Sequence, residues 1–149
     1  MKYNAAYRED VAESIQSIPQ VEKLKEKSIL ITGGTGMICS TVADILFYLN
    51  QYGGYRMTIL LAGRNREKMI QRFPYAREGA DYHFLPFDAE TGRLGNIRAD
   101  FLIHGASPAD PRSFERKPAE TIMTNVSGLK AVLDQALFNK GSQIGRAHV

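Results

Sequence analysis

The chain has 149 residues, of which 44% are apolar and 23% are charged, with 19 Lys and Arg against 16 Asp and Glu. This composition is typical of one globular domain and excludes a disordered or collagen-like chain. The small basic excess is scattered among acidic neighbours, so we expect no nucleic-acid partner. No apolar run approaches the ~18 residues of a membrane span, and the first ten residues lack the hydrophobic stretch of a signal peptide, so we expect a cytoplasmic protein without a membrane partner.

The first segment predicts a helical arm. Apolar side chains recur at helical spacing over residues 4–18, at Tyr7, Val11, Ile15 and Ile18. Pro19 ends this pattern, and a charged connector follows. We therefore treat residues 1–28 as a helical arm and connector that precede the main domain.

From residue 29 onward, strand patterns and helix patterns alternate. Short apolar runs predict four strands, at 28–32, 57–62, 82–85 and 100–104. Helical spacing follows the first, second and fourth strands, and the last helix begins at Pro118 after a loop from Gly105 to Lys117. This alternation implies right-handed crossovers and a parallel sheet covered on both faces, which is a doubly wound α/β domain.

The sheet is expected to stop after about four strands and to expose apolar surface there. The last helix carries one apolar face, formed by Ile122, Val126, Leu129, Leu133 and Leu137. Such a face needs a neighbour, and the edge of the fourth strand needs a partner strand. We expect that this chain lacks both.

The C-terminal residues have no apolar period. Residues 144–149 are similar to the translation of a sequencing-adapter oligonucleotide, and the alternative is a frayed natural tail. If the similarity holds, the domain in this chain spans residues 29–143, the gene continues beyond residue 143, and the chain is a fragment.

A glycine-rich turn follows the first predicted strand and opens the next helix. It contains Thr32-Gly33-Gly34-Thr35-Gly36-Met37-Ile38. Glycines here let the backbone approach a pyrophosphate, and the helix N-terminus offers free N–H groups to that anion. The pattern therefore favours dinucleotide binding over a merely structural turn, with Thr32, Gly33, Thr35, Gly36, Met37 and Ile38 as candidate binding residues.

This turn resembles the TGGTGxIG signature of extended short-chain dehydrogenases/reductases, in the NAD-dependent epimerase/dehydratase group that acts on nucleotide sugars. The resemblance covers residues 29–139 and implies a Rossmann-like fold. It also implies further cofactor contacts, at Asp88 near the adenine, at His104, Ala106 and Ser107 beside the phosphate and nicotinamide ribose, and at Asn125 near the active site. For His104 and Asn125, a purely structural role is the alternative.

Two departures from the family pattern affect function. Cys39 replaces the third glycine of the turn, for which we expect a slight displacement of the helix. The family's catalytic pair is Tyr-x-x-x-Lys, and none of the seven tyrosines is followed by lysine four residues later. We therefore assign no catalytic residue in this chain, and we expect no metal site.

The choice of cofactor depends on the end of the second strand. No acid follows it to hold the ribose hydroxyls of NAD, whereas Arg64 could pair with the 2′-phosphate of NADP. An exposed loop arginine is the alternative, so the cofactor is NAD or NADP.

The sequence thus predicts the cofactor-binding half of a nucleotide-sugar epimerase/dehydratase-like oxidoreductase. The full-length protein would take a nucleotide-sugar substrate and could form a homodimer. The alternative is a non-catalytic NAD(P)-binding sensor or scaffold of the same fold.

Overall fold

A parallel sheet of five strands forms the centre of the fold, in a computed structural model that describes residues 4–107, 111–139 and 143–146. The strands are β1 Ser28–Thr32, β2 Thr58–Gly63, β3 His83–Pro86, β4 Phe101–His104 and β5 Gln143–Arg146. Their order is β3-β2-β1-β4-β5, and every neighbouring pair is parallel. This is the doubly wound α/β architecture that the alternating pattern predicts, and it is the Rossmann-like fold that the resemblance implies.

Helices cover both faces of the sheet. They are α1 Ala5–Gln16, α2 Met37–Gly53, α3 Arg66–Arg72, α4 Pro111–Arg116 and α5 Pro118–Phe138, with a short 3-10 turn at Val21–Leu24. Asn65 caps α3 by accepting the N–H of Lys68 at 2.8 Å, as its position before the helix predicts. Among the described residues, no helix has both the length and the hydropathy needed to cross a membrane.

Side chains of the central strands point alternately into two cores, as the two-residue period of a strand requires. In the first core, Ile31 and Leu61 pack with α2 and α3, including Phe47 and Phe73. In the second core, the strand residues that alternate with those of the first core pack with α5, which contributes Ala131 and Val132. Because both faces are buried, the strands are continuously apolar.

The predicted arm forms α1 and lies against the first core. Asn4 caps this helix by accepting the N–H of Ala6, and Val11 is buried in it. The helix ends at Gln16, before Pro19. It is joined to α2 by a hydrogen bond that Tyr7 donates to Asp44.

The expectation that the sheet stops after about four strands is wrong. Residues Gln143–Arg146 form β5, which pairs with β4 from Phe101 to His104. Backbone N–H and C=O groups make this pairing, so a segment without an apolar period can satisfy the edge of β4. The boundary expected after residue 143 therefore falls inside a strand, and residues 147–149 lie outside the described residues.

The connection from β4 to the last helix also differs from the expected loop. It contains the short helix α4, and residues 108–110 lie outside the described residues. The last helix, α5, begins at Pro118 as predicted.

Helix α5 presents its small residues to the sheet and its large apolar residues to solvent. A Cβ on Gly128 would lie 2.9 Å from the Cβ of Ala89, so only glycine permits this close approach. On the outer side, Ile122, Val126, Leu133 and Leu137 are 44–77% exposed. The apolar face predicted from the sequence is therefore uncovered in the part of the chain that the structure describes.

Candidate functional site

A cavity of about 520 Å³ lies beyond the carboxyl ends of β1, β2 and β4. This is where the strand order reverses, because the chain places β2 and β4 on opposite sides of β1. In doubly wound sheets, ligands bind in the crevice at such a switch point. The walls come from the turn after β1, the residues that follow β2, β3 and β4, and the start of α5.

Gly33 is required by the backbone of the turn. Its φ is +72°, and a Cβ there would lie 2.5 Å from the carbonyl oxygen of Gly105. Its own N–H donates to the carbonyl of Ala62 at 3.1 Å. The turn after β1 is thereby held between the ends of β2 and β4, and a side chain at Gly33 would force them apart.

Gly36 is different, because its side of the turn is open. It is the N-cap of α2 with an ordinary φ of −74°, and an added Cβ would meet only the carbonyl oxygen of Gly33, at 3.2 Å. Among the described residues, no side chain caps α2. The first N–H groups of this 17-residue helix thus follow a residue of the cavity wall without a side-chain acceptor in the described part of the chain, which is an arrangement suited to a phosphate.

Thr32 and His104 lie beneath the cavity rather than in its wall. Both side chains are buried, and the Thr32 hydroxyl is 2.8 Å from Nδ1 of His104. The same oxygen accepts the N–H groups of Gly105 and Ala106, each at 3.3 Å. The Thr32 hydroxyl can then donate its proton to Nδ1 of His104, which favours the His104 tautomer with hydrogen on Nε2. This arrangement fixes the loop after β4.

The backbone of that loop reaches the cavity through two of the predicted residues. Ala106 and Ser107 both line the wall, together with Gly105. His104 contributes through the hydrogen bond that holds the loop, which agrees with the structural alternative for its side chain.

Arg64 and Asp88 occupy the rim on the β2 and β3 side. Arg64 is exposed and follows Gly63 at the end of β2. Asp88 is half-buried, and its Oδ1 accepts the N–H of Glu90 at 3.0 Å, which orients the carboxylate at the rim. The end of β2 carries arginine and asparagine rather than an acid, as the sequence shows.

Besides Thr32 and His104, three more of the predicted residues do not line this cavity, namely Met37, Ile38 and Asn125. The side chains of Met37 and Ile38 are exposed, Met37 by 80%, and phosphate binding by the backbone N–H groups at these two positions stays a prediction. Asn125 is half-buried, and its Oδ1 has no hydrogen-bond partner among the described residues. Its neighbour Thr124 lines the wall instead. Contact between Asn125 and a cofactor stays a prediction.

Sequence reasoning missed the wall supplied by the start of α5. This wall consists of Lys117, Glu120, Thr121 and Thr124. Lys117 lies 3.7 Å from Glu120 in an exposed ion pair. The available signal was the position of these residues around Pro118, with Lys117 directly before this proline and the other three at helical spacing after it.

Cys39 is buried in the first core, and burial raises the pKa of its thiol. Its thiol is therefore protonated at neutral pH and packs as a small apolar group. Among the residues described, no three His, Cys, Asp or Glu side chains are grouped as a metal site would require.

A family model described as "NAD dependent epimerase/dehydratase family" matches residues 29–144. The chain belongs to the NAD-dependent epimerase/dehydratase family. Membership supports a nicotinamide cofactor, and the match leaves the arm before residue 29 outside it.

Two curated relatives and two solved structures are similar to this chain. The relatives are inverting UDP-N-acetylglucosamine 4,6-dehydratases from two Campylobacter jejuni strains, 31% and 30% identical over 77% and 78% of this chain. The chain spans about a third (34%) of each relative's length. Among solved structures, Pen from Bacillus thuringiensis has a TM-score of 0.65 at 20% identity, covering 81% of this chain and 37% of that chain.

The UDP-glucose-4-epimerase from Stenotrophomonas maltophila was solved with bound NAD and formylated UDP-arabinopyranose. It has a TM-score of 0.60 at 19% identity, and the match covers 80% of this chain and 36% of that chain. At this identity the similarity establishes a shared fold.

Proposed function

We propose that this chain is the NAD(P)-binding part of a nucleotide-sugar epimerase/dehydratase-like oxidoreductase. The observation that carries the proposal is the uncapped N-terminus of α2 beside the switch-point cavity, with Gly36 leaving the approach open. When bound, a nicotinamide cofactor supplies hydride transfer from and to a sugar carbon. The UDP-sugar names of the similar proteins support the substrate class.

The residues of this chain would bind and orient the dinucleotide. The N–H groups at Met37 and Ile38 would hold the pyrophosphate beside Gly36, where the helix dipole favours an anion. Asp88 lines the rim and would accept a hydrogen bond from the adenine amino group. Thr32 and His104 would act indirectly, by holding the loop of Ala106 and Ser107 in place.

Calorimetric titration of the 149-residue chain with NAD⁺ and NADP⁺ tests this proposal. We expect saturable binding that falls at least about tenfold in Gly36→Val, because the branched side chain would occupy the space of the phosphates. Gly95→Val is the matched control, since a Cβ at Gly95 meets no atom within 4 Å and lies outside this cavity. Unchanged binding in Gly36→Val, with the fold intact by circular dichroism, would refute the assignment.

Sugar chemistry would need groups that this sequence does not encode. Removing hydride from an alcohol also requires a base for the hydroxyl proton, and no tyrosine here has lysine four residues later. We therefore expect no NAD(P) reduction by this chain with UDP-, GDP- or dTDP-sugars. Activity in such an assay would show that the catalytic residues lie within these 149 residues.

The missing Tyr-x-x-x-Lys pair also supports a second candidate, a non-catalytic NAD(P)-binding sensor or scaffold. Both candidates predict the same cofactor binding in this chain. Sequencing the locus beyond codon 143 distinguishes them, because an enzyme requires the pair in the continuation. We further propose that the full-length protein forms a homodimer, which the exposed apolar face of α5 supports.

A further inference from the structure

We propose that the N-terminal arm positions the phosphate-binding turn through a partly buried hydrogen-bond cluster, so that docking of the arm strengthens dinucleotide binding. The cluster, called here the arm cluster, consists of Tyr7, Ser40, Asp44, Arg72 and Tyr75. The inference rests on the proposed function, because it concerns the same phosphate site.

Asp44 is the centre of the arm cluster. It lies on α2 and is completely buried, and its carboxylate accepts hydrogen bonds from three separate segments. Tyr7 of α1 donates to Oδ2 at 2.7 Å, Arg72 at the end of α3 donates to the same oxygen at 3.0 Å, and Tyr75 donates to Oδ1. A buried carboxylate is tolerated only with such partners, so these segments are held to α2 at one point.

The cluster continues from Asp44 to the phosphate turn. Arg72 also donates to Oγ of Ser40 at 2.9 Å, and that hydroxyl donates to the carbonyl of Met37 at 3.1 Å. The N–H of Ser40 donates to the carbonyl of Gly36 at 2.9 Å. Ser40 therefore joins the arm cluster to both residues at the start of α2, which is the segment proposed to hold the pyrophosphate.

The arm cluster lies directly behind the turn. A second cavity, of about 720 Å³, is lined by Tyr7 and other members of the cluster on one side and by Thr35 and Met37 on the other. Thr35 also lines the cofactor cavity, so this residue of the turn borders both spaces. Movement of the arm would therefore act on the turn through bonded neighbours at short range.

The hydroxyl of Tyr7 is suited to a hydrogen bond with Asp44 that persists at neutral pH. Burial and the hydrogen bond to Asp44 raise the pKa of its phenol to about 12, so the hydroxyl remains a donor at neutral pH. The arm also precedes residue 29, where the family match begins, so family membership does not account for this contact. If docking of the arm strengthens cofactor binding, then cofactor binding must strengthen docking of the arm by the same factor.

Tyr7→Phe tests the proposal against Tyr55→Phe. Tyr55 makes an equivalent hydrogen bond, at 2.8 Å, to Glu22 in the connector, but it lies beyond the C-terminal end of α2, far along the helix from the turn. We expect Tyr7→Phe to weaken NAD(P) binding about fivefold, at the lower end of typical couplings between sites, and Tyr55→Phe to leave it unchanged.

Hydrogen exchange provides a readout that needs no cofactor. The amides of residues 40–44 belong to the first turns of α2, and we expect them to exchange faster in Tyr7→Phe than in Tyr55→Phe. Equal exchange and equal affinity in the two variants would overturn the inference. If the unmodified chain binds no dinucleotide, the proposed function fails, while the exchange comparison still decides whether the arm positions the turn.

Ser40→Ala distinguishes positioning from general stabilisation. In that background, Tyr7→Phe should no longer change NAD(P) affinity, because the link from the arm cluster to Met37 is already broken. Tyr7→Phe should still accelerate tryptic cleavage after Arg8, since docking of the arm depends on Tyr7 itself. A full additional loss of affinity in the double variant would contradict the route through Ser40.

Discussion

The two faces of the sheet are covered by side chains of different size. On the face of α2 and α3, large rings fill the core: Phe47 and Phe73 meet edge to face at 5.3 Å between centroids, and Tyr82 contacts both. The arm adds a further layer there. On the opposite face, α5 approaches the sheet through Gly128 and Ala131 and leaves its largest side chains in solvent.

Apolar residues therefore have two roles in this chain: some fill a closed core, and others form an exposed patch. The face of α2 and α3 is closed by the chain's own side chains. The face of α5 has apolar residues on both sides of one helix, and the outer side forms an exposed patch of the kind that proteins bury against a partner or another segment. Stability and association should therefore respond to different substitutions.

The largest expected effect is on the closed face. Phe73→Ala should lower the free energy of unfolding by about 3–5 kcal/mol, because Phe73 is fully buried between two other rings. Leu137→Ala should change it by less than about 0.5 kcal/mol, because Leu137 is 77% exposed. Urea denaturation followed by circular dichroism measures both, and similar losses would show that the two faces do not differ.

The next effect concerns the backbone where the sheet meets the cofactor cavity. Gly33→Ala should destabilise the fold by about 3 kcal/mol, through left-handed strain and displacement of Gly105. Gly79→Ala is the matched control, because Gly79 has a φ of +85° but no atom within 4 Å of an added Cβ. The Gly79→Ala variant should lose only about 1–2 kcal/mol of the free energy of unfolding, because only the strained conformation contributes. Equal losses in thermal unfolding would remove the close approach to Gly105 from the explanation.

A smaller effect is expected at the rim of the cavity. If Arg64 binds a 2′-phosphate, Arg64→Ala should weaken NADP⁺ binding by about 1.5–3 kcal/mol and leave NAD⁺ binding nearly unchanged. Arg66→Ala is the control, since Arg66 is paired with Glu78 and does not line the cavity. Equal changes for the two cofactors in calorimetry would return Arg64 to the role of an exposed loop residue.

The sequence predicts the strands, the order of elements and the glycine turn because local signals determine them. Gly33 and Asn65 have the roles that their positions predict. The fifth strand could not be predicted, because β5 is defined by the unpaired edge of β4 rather than by a side-chain pattern of its own. Helix α4 was missed because its six residues, which begin with a proline, give too short a period to recognise.

In the candidate site too, some residues follow from local sequence patterns and others depend on tertiary packing. Residues next to the glycine turn follow from a motif, whereas Lys117 and Thr124 reach the cavity only because α5 crosses the sheet at that point. Asp44 could not be assigned from sequence, because an acid on a helix usually faces solvent, and its three donors come from distant parts of the chain. Contacts of this kind depend on tertiary packing, which no local pattern encodes.

The smallest effect on stability should come from charging the outer side of α5, where we expect the largest change in association. Leu137→Lys places a charge on the exposed apolar face of α5, so it should leave the free energy of unfolding within about 0.5 kcal/mol. It should also reduce concentration-dependent association in sedimentation experiments, because it interrupts the exposed patch. Gln51→Lys adds the same charge to an exposed position of α2, on the other face of the sheet, and should leave association unchanged. If both variants reduced association equally, net charge alone would explain the result, and the outer face of α5 would have no special part in it.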